Sequence, residues 1–221
     1  MGEKGIWRNA VRFGTIHHSL ITIHHPEIMA ATPSTMLNLG TPAPDFSLPN
    51  VASGRTASLA SFSGKDALLV IFLCAHCPYV IHVAPELARL SRDYAAKSVA
   101  IVGISSNDTG SHPQDAPEPT AAFARAQGFT FPILFDKSQS VAKAYTAACT
   151  PDFFLFGKDR LLVYRGQLDR TRPRIGTPDG ADLRAAIDAV LAGRNVSAEQ
   201  APSIGCNIKW KPGNEPDYFG H

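Results

Sequence analysis

The feature that most constrains the fold is a run of six apolar residues, Leu68 to Leu73, that leads directly into a Cys-x-x-Cys motif. Six residues are too few to span a membrane and suit a strand that is buried on both faces. The apolar positions after Cys77 show helical spacing, so a strand is expected to deliver Cys74 and Cys77 to the first turn of a helix. The free N–H groups there favour an anion, and the thiolate is the reactive form of cysteine. The sequence therefore predicts a reactive dithiol.

Two other interpretations of the paired cysteines stay open. A Cys-x-x-Cys pair is also half of a tetrahedral zinc site, although Cys149 and Cys206 are single and supply no second pair. Cysteine is also among the most buried residue types, so an inert pair of core thiols is the second alternative. The strand-to-helix context favours the reactive dithiol over both.

Composition excludes several classes of partner. The chain has 221 residues, of which 44% are hydrophobic and 18% charged, as in an ordinary globular protein. The formal net charge is only +2 without a long basic run, which argues against nucleic acid. No apolar stretch reaches the length of a membrane span, so no membrane partner is expected. Four cysteines are too few for a disulfide-rich secreted scaffold and favour a reducing, cytoplasmic compartment.

Residues 1–36 differ from the rest of the chain and are predicted to form a disordered N-terminal extension. Its apolar clusters are interrupted in a way that is not typical of a secretory signal. The segment contains four histidines, which are His17, His18, His24 and His25. A flexible arm is favoured over a metal site as their setting. This composition also raises the hypothesis that the natural translation start is Met29 or Met36.

The folded domain is predicted to span residues 37–194, and residues 195–221 are predicted to form a tail packed on it. The expected strands are residues 45–48, 56–59, 68–73, 99–104, 131–135, 153–156 and 161–166. The expected helices are one that begins after Cys77 and three at residues 120–127, 138–148 and 181–192. Strands that alternate with helices and end in a hairpin predict an α/β fold with a central mixed sheet and helices on both faces.

A Thr-Pro step downstream of the paired cysteines adds a second landmark. Thr150-Pro151 opens the predicted hairpin, and together with the Cys-x-x-Cys motif it resembles the thioredoxin fold. The resemblance implies a cis Thr150–Pro151 bond that faces the active-site cysteines and holds the substrate backbone. A trans proline at the start of a strand is the alternative. Ala84-Pro85 similarly resembles the kink of the first long thioredoxin helix.

Six motifs point to a more specific resemblance. They are GTPAPDFSL (40–48), CAHCPYV (74–80), SSND (105–108), CTPDFFLF (149–156), YRG (164–166) and SIGCNIKW (203–210). Together they resemble a bacterial group of peroxiredoxin-like, thioredoxin-family proteins of the alkyl hydroperoxide reductase/thiol-specific antioxidant superfamily. The resemblance covers residues 37–219 and implies a thioredoxin fold with an N-terminal peroxiredoxin-like β extension.

The chain departs from the family pattern at the cysteines themselves. Peroxiredoxins place a proline and a threonine before the peroxidatic cysteine, as Pro-x-x-x-Thr-x-x-Cys. Aligned on Cys77 these positions are Val70 and Cys74, although Cys77-Pro78 does resemble the peroxiredoxin Cys-Pro step. Thioredoxin itself has Gly-Pro between its cysteines and a buried acid in the preceding strand, and both are missing here. A thiol–disulfide cycle is therefore favoured over peroxide reduction.

The predicted catalytic residues are Cys74, Cys77, His76, Thr150 and Pro151. Cys74 is expected to lie nearer the helix N-terminus, to be the more exposed sulfur, and to attack a substrate disulfide as a thiolate. Cys77 is then expected to attack the mixed disulfide and release the reduced substrate. His76 resembles the intervening histidine of strongly oxidising family members and is expected to stabilise the Cys74 thiolate. A solvated loop histidine is the alternative.

Four other residues have open roles. Cys149 is either an auxiliary thiol near the site or, as favoured here, a packed apolar cysteine. The role of Cys206 is open, and a Cys149–Cys206 bridge is one alternative. Asn107 and Asp108 follow a predicted parallel strand and are expected to reach the same sheet edge as Cys74, with a capped turn as the alternative.

Three classes of function remain after this reasoning. The favoured class is a dithiol oxidoreductase that acts on protein or small-molecule disulfides with the help of an unidentified thiol reductant. The second is a peroxiredoxin-like peroxidase that reduces hydrogen peroxide or organic hydroperoxides, and the third is a non-catalytic binding module. No cofactor or metal is expected, and a homodimer is an open alternative for the assembly.

Overall fold

The structure is a computed structural model that describes residues 1–2 and 31–220. The four N-terminal histidines and Met29 lie outside the described residues. The strands are β1 (Ala31–Pro33), β2 (Ser47–Pro49), β3 (Thr56–Ser58), β4 (Ala67–Phe72), β5 (Val99–Ser105), β6 (Ile133–Phe135), β7 (Cys149–Thr150), β8 (Asp152–Phe156), β9 (Leu162–Tyr164) and β10 (Ile204–Asn207). The α-helices are α1 (Pro78–Asp93), α2 (Pro117–Gln127), α3 (Ser140–Ala144) and α4 (Ala181–Leu191). Within this described part of the chain, no helix is both long and apolar enough to cross a membrane.

A five-stranded mixed sheet forms the centre of the fold, in the order β6-β5-β4-β8-β9. β4, β5 and β6 run parallel, with Ala67 of β4 beside Val99 of β5. β8 runs antiparallel to β4, with Asp152 beside Phe72, and β9 pairs with β8 as the second strand of a hairpin. The predicted central mixed sheet is therefore confirmed.

Strand β4 is buried along its whole length because both faces of the sheet are covered. Leu69 and Ile71 face a core that contains residues of α1 and α4. Leu68 and Val70 face the opposite core, which contains residues of α3. Burial of one large aliphatic side chain contributes about 1.5–3 kcal/mol, so these alternating contacts fix the strand that carries the cysteines. Helices cover both faces, as the sequence predicted.

A second sheet, in the order β1-β10-β7, brings the predicted tail beside the Thr-Pro step. In this sheet Cys206 of β10 pairs with Ala31 of β1 on one side and with Thr150 of β7 on the other. Residues 31–33 of the predicted disordered extension are thus part of a strand, and the ordered fold begins before Leu37. Strands this short have too little alternation to stand out in the sequence.

The predicted helix 138–148 is the clearest difference between the sequence expectation and the structure. Its N-cap is Gln139, in a left-handed conformation, whereas the predicted cap Ser138 lies one residue earlier; the Ser138 hydroxyl accepts from the Ser140 amide at 3.3 Å and donates to the Asp136 carboxylate at 3.1 Å. The α-helix ends at Ala144, and the chain turns at Thr146, whose φ of 48° is incompatible with a right-handed helix. The left-handed conformation of Thr146 therefore ends a helix that the sequence pattern would extend to residue 148.

Candidate active site

The paired cysteines lie where the central strand meets the first long helix. Cys77 is the N-cap of α1 and Pro78 is its first residue, whereas Cys74 lies in the short connection after β4. Both side chains are buried, with 1% of Cys74 and none of Cys77 exposed. Cys77, and not Cys74 as expected, is therefore the cysteine at the helix start, and neither side chain is exposed to solvent. A cysteine at the N-cap leaves α1 without a side-chain capping bond, so its sulfur lies near unpaired N–H groups.

The Thr150–Pro151 bond is cis, as predicted, and Thr150 faces both cysteines. Cys74 Sγ lies 3.4 Å from the Thr150 hydroxyl oxygen. Cys77 Sγ lies 3.1 Å from the Thr150 carbonyl oxygen, which accepts from the Cys77 thiol when that sulfur is protonated. Four of the five predicted catalytic residues therefore lie in one buried region: Cys74, Cys77, Thr150 and Pro151.

A third cysteine completes the group of sulfurs. The Sγ atom of Cys206 lies 2.6 Å from Cys77 Sγ, and only 1% of the Cys206 residue is exposed. Cys149 points elsewhere, since its sulfur lies 3.6 Å from the Pro151 carbonyl oxygen and 4.0 Å from that of Ser203. All four cysteines are free. The structure therefore joins Cys206 to the Cys-x-x-Cys pair and leaves Cys149 as a packed thiol.

A buried carboxylate organises the turn between the paired cysteines. Asp115, which is fully buried, accepts a hydrogen bond from the Ala75 amide at 2.9 Å and lies 2.6 Å from Nδ1 of His76. The side-chain amide of Asn107 donates to the same carboxylate at 2.8 Å. The His112 ring stacks on the His76 ring, with centroids 5.1 Å apart. His76 is therefore held by partners and is not a freely solvated loop histidine.

Asn107 and Asp108, which lie after β5, are predicted either to reach the sheet edge near Cys74 or to cap a turn, and each residue follows a different alternative. Asn107 reaches the site through Asp115, as expected for the carboxyl end of a parallel strand. Asp108 instead caps a turn, accepting hydrogen bonds from the amides of Gly110 and Ser111.

Charge and hydrogen bonding favour the thiolate at Cys77. Burial raises the pKa of Cys77, but hydrogen bonds with Cys206, with Cys74 and with Thr150 outweigh burial and bring this pKa below its ordinary value. The pKa of Cys74 is raised by its hydrogen bond with Cys77, by burial and by the charge of Asp115. These pKa directions favour Cys77 over Cys74, the sulfur to which the sequence assigns the thiolate.

The site also contains three potential metal ligands. The ligand atoms of Cys74, His76 and Asp115 lie within 4.8 Å of one another. The Asp115 oxygens are already engaged by the Ala75 amide and by the side chains of His76 and Asn107. Burial raises the pKa of Asp115, yet these hydrogen bonds bring it below its ordinary value, so the carboxylate is satisfied without a cation. A structural zinc ion takes four protein ligands, and this set offers three.

Known proteins resemble this chain in sequence and structure. The sequence profile of the AhpC/TSA family matches residues 39–165. The Mycobacterium tuberculosis protein named "Putative peroxiredoxin MT2597" is 34% identical over 116 residues, which are 52% of this chain and 68% of the relative. The thiol-disulfide oxidoreductase ResA of Geobacillus thermodenitrificans is 28% identical over 128 residues, 58% of this chain and 68% of the relative. The crystal structure of an uncharacterized conserved protein from Geobacillus kaustophilus aligns with a TM-score of 0.81 and 50% identity, covering 83% of this chain and 98% of that one.

The mixed sheet, the dithiol and the cis-proline define a protein of the thioredoxin fold, and structural neighbours share that fold. Because the family profile matches more than half of its length, this chain belongs to the AhpC/TSA family. The Mycobacterium tuberculosis and Geobacillus thermodenitrificans relatives both have oxidoreductase names. The matched region contains the paired cysteines and Pro151, whereas Cys206 lies beyond it.

Sequence reasoning missed two members of the site. Asp115 lies in a proline-rich loop, and no local pattern links it to the turn that holds Ala75 and His76. Cys206 was noted, but its partner could not be assigned because the pairing of β10 with β7 joins segments far apart in the chain. The available signal for Cys206 was its place in the SIGCNIKW motif.

Proposed function

We propose that this protein is a thiol–disulfide oxidoreductase in which Cys74 and Cys77 alternate between a dithiol and a disulfide. The observation that carries the proposal is the meeting of both sulfurs at Thr150, at distances of 3.4 Å and 3.1 Å from its two oxygen atoms. This arrangement puts two redox thiols against the cis-proline segment that, by resemblance, holds the substrate backbone. The relationship to ResA supports the same reaction class.

The electrostatics support Cys77 as the attacking sulfur. Its thiolate attacks one sulfur of a substrate disulfide, a Cys77–substrate bond forms, and the other substrate sulfur leaves as a thiolate. Cys74 then loses its proton and attacks Cys77, and the second substrate thiolate leaves. The protein loses two electrons to form the Cys74–Cys77 bond, and the substrate gains them as two thiols. A thiol reductant restores the dithiol by the reverse exchange.

The surrounding residues act by position in this proposal. Asp115 holds the Ala75 amide and the His76 ring, and so fixes the turn that separates the two sulfurs. Its charge also raises the pKa of Cys74, which keeps that sulfur protonated until the mixed disulfide has formed. Thr150 and Pro151 form the wall against which a protein or small-molecule disulfide is placed.

Peroxide reduction at Cys77 is the second candidate. The observation that favours it is a buried cysteine of lowered pKa followed directly by Pro78, since burial restricts access to the sulfur more for a large substrate than for a small oxidant. The thiolate would attack hydrogen peroxide to give a sulfenic acid and hydroxide, and Cys74 would then form the disulfide with loss of water. Val70 and Cys74 at the positions of the peroxiredoxin proline and threonine weigh against this activity.

Stopped-flow mixing of the reduced protein with dithiobis(nitrobenzoic acid) or with hydrogen peroxide separates the candidates. The expected result is a fast release of two nitrothiobenzoate equivalents per protein, and a slow reaction with peroxide. Cys77→Ser is expected to abolish the fast phase. Cys149→Ser is the matched control, because this cysteine is equally buried and its sulfur contacts none of the site sulfurs.

Each other outcome contradicts a defined part of the proposal. A fast phase that survives Cys77→Ser and disappears in Cys74→Ser would return the attacking role to Cys74. A fast reaction with peroxide alone would establish the peroxidase. No fast reaction with either oxidant in the wild-type protein would leave the binding module as the remaining class.

A further inference from the structure

We propose that Cys206 is a third redox thiol, and that Cys77 forms a disulfide with either Cys74 or Cys206. The Cys77 and Cys206 sulfurs are 2.6 Å apart, while the length of an S–S bond is about 2.05 Å. A small side-chain movement is therefore enough to join them. The inference rests on the proposed redox chemistry of Cys77 and extends it to a residue outside the matched family region.

The strand that carries Cys206 is built for close approach to the site. β10 pairs with β7, and Cys206 lies opposite Thr150, the residue that contacts both paired cysteines. The preceding residue is Gly205, where an added Cβ would lie 2.0 Å from the Thr150 carbonyl oxygen. Only glycine allows this approach, so the sequence at 205 serves to bring β10, and with it the third sulfur, against the cis-proline segment.

The start of α1 and the contact between Cys77 and Cys206 determine which of these two sulfurs carries the negative charge. Cys77 is the N-cap of α1, and its hydrogen bonds with Cys206 and Cys74 outweigh burial and bring the pKa of Cys77 below its ordinary value, whereas the hydrogen bond with Cys77 and burial raise the pKa of Cys206. Unpaired N–H groups at a helix start favour negative charge, so in the reduced protein the thiolate is held at Cys77 and Cys206 is the thiol. Once Cys77 is part of a disulfide, its charge no longer raises the pKa of Cys206, and Cys206 can supply the thiolate that attacks the disulfide sulfur in thiol–disulfide exchange.

The exchange that follows from this geometry involves no external reagent. In the Cys74–Cys77 oxidised protein, the Cys206 thiolate attacks Cys77 Sγ and forms the Cys77–Cys206 bond. Cys74 leaves as a thiolate and takes up the proton that Cys206 lost, so no net electrons move. The oxidised protein thereby keeps a buried disulfide while Cys74 becomes a free thiol again.

Oxidation of the Cys74→Ser protein tests the inference without a substrate. Diamide, an azo compound that takes two electrons and two protons from a pair of thiols, is used as the oxidant at low protein concentration. Remaining thiols are alkylated after unfolding and counted by mass spectrometry. The Cys74→Ser chain has three thiols and is expected to keep one, with a Cys77–Cys206 peptide as the product. Cys74→Ser/Cys149→Ser is the matched control and is expected to keep none of its two.

The decisive comparison is Cys74→Ser/Cys206→Ser, which is expected to keep both thiols under the same conditions. Three unreacted thiols in a folded Cys74→Ser protein, or a Cys149–Cys206 peptide, would overturn the inference. Circular dichroism checks the fold of each variant, and partial oxidation of the wild-type protein offers a second readout, with a Cys77–Cys206 peptide expected beside Cys74–Cys77. Diamide oxidises the thiols directly and needs no substrate. The Cys77–Cys206 bond is therefore expected even if the disulfide-substrate assay fails, so the two proposals can fail separately.

Discussion

Asp152 should make the protein less stable as the pH rises, and Asp152→Asn should remove that effect. Asp152 is the first residue of β8, follows Pro151 directly and is fully buried. Its Oδ2 accepts a hydrogen bond from the Ala148 amide at 3.2 Å, whereas Oδ1 has no partner. Burial raises the pKa of this carboxyl from 3.8 to about 7. The folded protein therefore holds a proton there that the unfolded chain releases at lower pH.

The magnitude follows from the difference between the two pKa values. Because the folded-state pKa is the higher one, the stabilisation from Asp152 is complete below about pH 4 and is lost as the pH rises to about 7. Each unit of pKa corresponds to about 1.4 kcal/mol, so a change of about 3 corresponds to about 4 kcal/mol in the free energy of unfolding. Above pH 7 both states are ionised at this residue, and the loss does not grow further.

Urea unfolding at a series of pH values measures the effect. The wild-type free energy of unfolding minus that of Asp152→Asn cancels the other titrating groups, and this difference is expected to fall by about 4 kcal/mol between pH 4 and pH 8. Asp108→Asn is the control, because hydrogen bonds with Ser111 and the Gly110 amide lower the pKa of Asp108, and any pH dependence there runs in the opposite direction. A difference between wild type and Asp152→Asn that is constant with pH would refute the reasoning.

Two further substitutions test the environment of the sulfurs. Asp115→Asn removes a charge that raises the pKa of Cys74, so this pKa should fall, as measured by the pH dependence of Cys74 alkylation; an unchanged profile would show that the carboxylate does not act on this sulfur. Gly205→Ala should cost about 3 kcal/mol or more in urea unfolding, because its Cβ would overlap the Thr150 carbonyl oxygen. Gly157→Ala, whose Cβ meets a side-chain oxygen at 3.1 Å, should cost much less, and equal costs would contradict the close approach of β10 and β7.

The parts of the fold that the sequence predicts are those with a local cause. The Leu68–Leu73 run predicts a buried strand because six consecutive apolar residues need apolar contacts on both faces, and β4 has them. Pro78 predicts a helix start because a proline lacks the N–H that the first helical residue leaves unpaired. The cis bond at Thr150–Pro151 came from family resemblance and is confirmed.

The parts that sequence reasoning missed depend on contacts between distant segments. The thiolate was assigned to Cys74 from its position in the motif, but the balance is set by Cys206, which lies 129 residues from Cys77, and by Asp115. A carboxylate in a proline-rich loop carries no local sign that it will be buried against a turn. Electrostatic roles are thus harder to predict than strand and helix identity, because they require the tertiary neighbours.

Position 74 separates the two candidate activities. Peroxiredoxins have a threonine there, whose hydroxyl cannot form a disulfide, whereas Cys74 can join Cys77 and turn a one-sulfur site into a dithiol. The hydroxyl is not lost from the site, since Thr150 Oγ1 lies 3.4 Å from the Cys74 sulfur. A side chain from the cis-proline segment therefore supplies a hydroxyl near the position where the family pattern has one. In the proposed mechanism, a cysteine in place of the threonine gives the site the capacity for thiol–disulfide exchange, while the thiolate lies at Cys77, which aligns with the peroxidatic cysteine of the peroxiredoxin pattern.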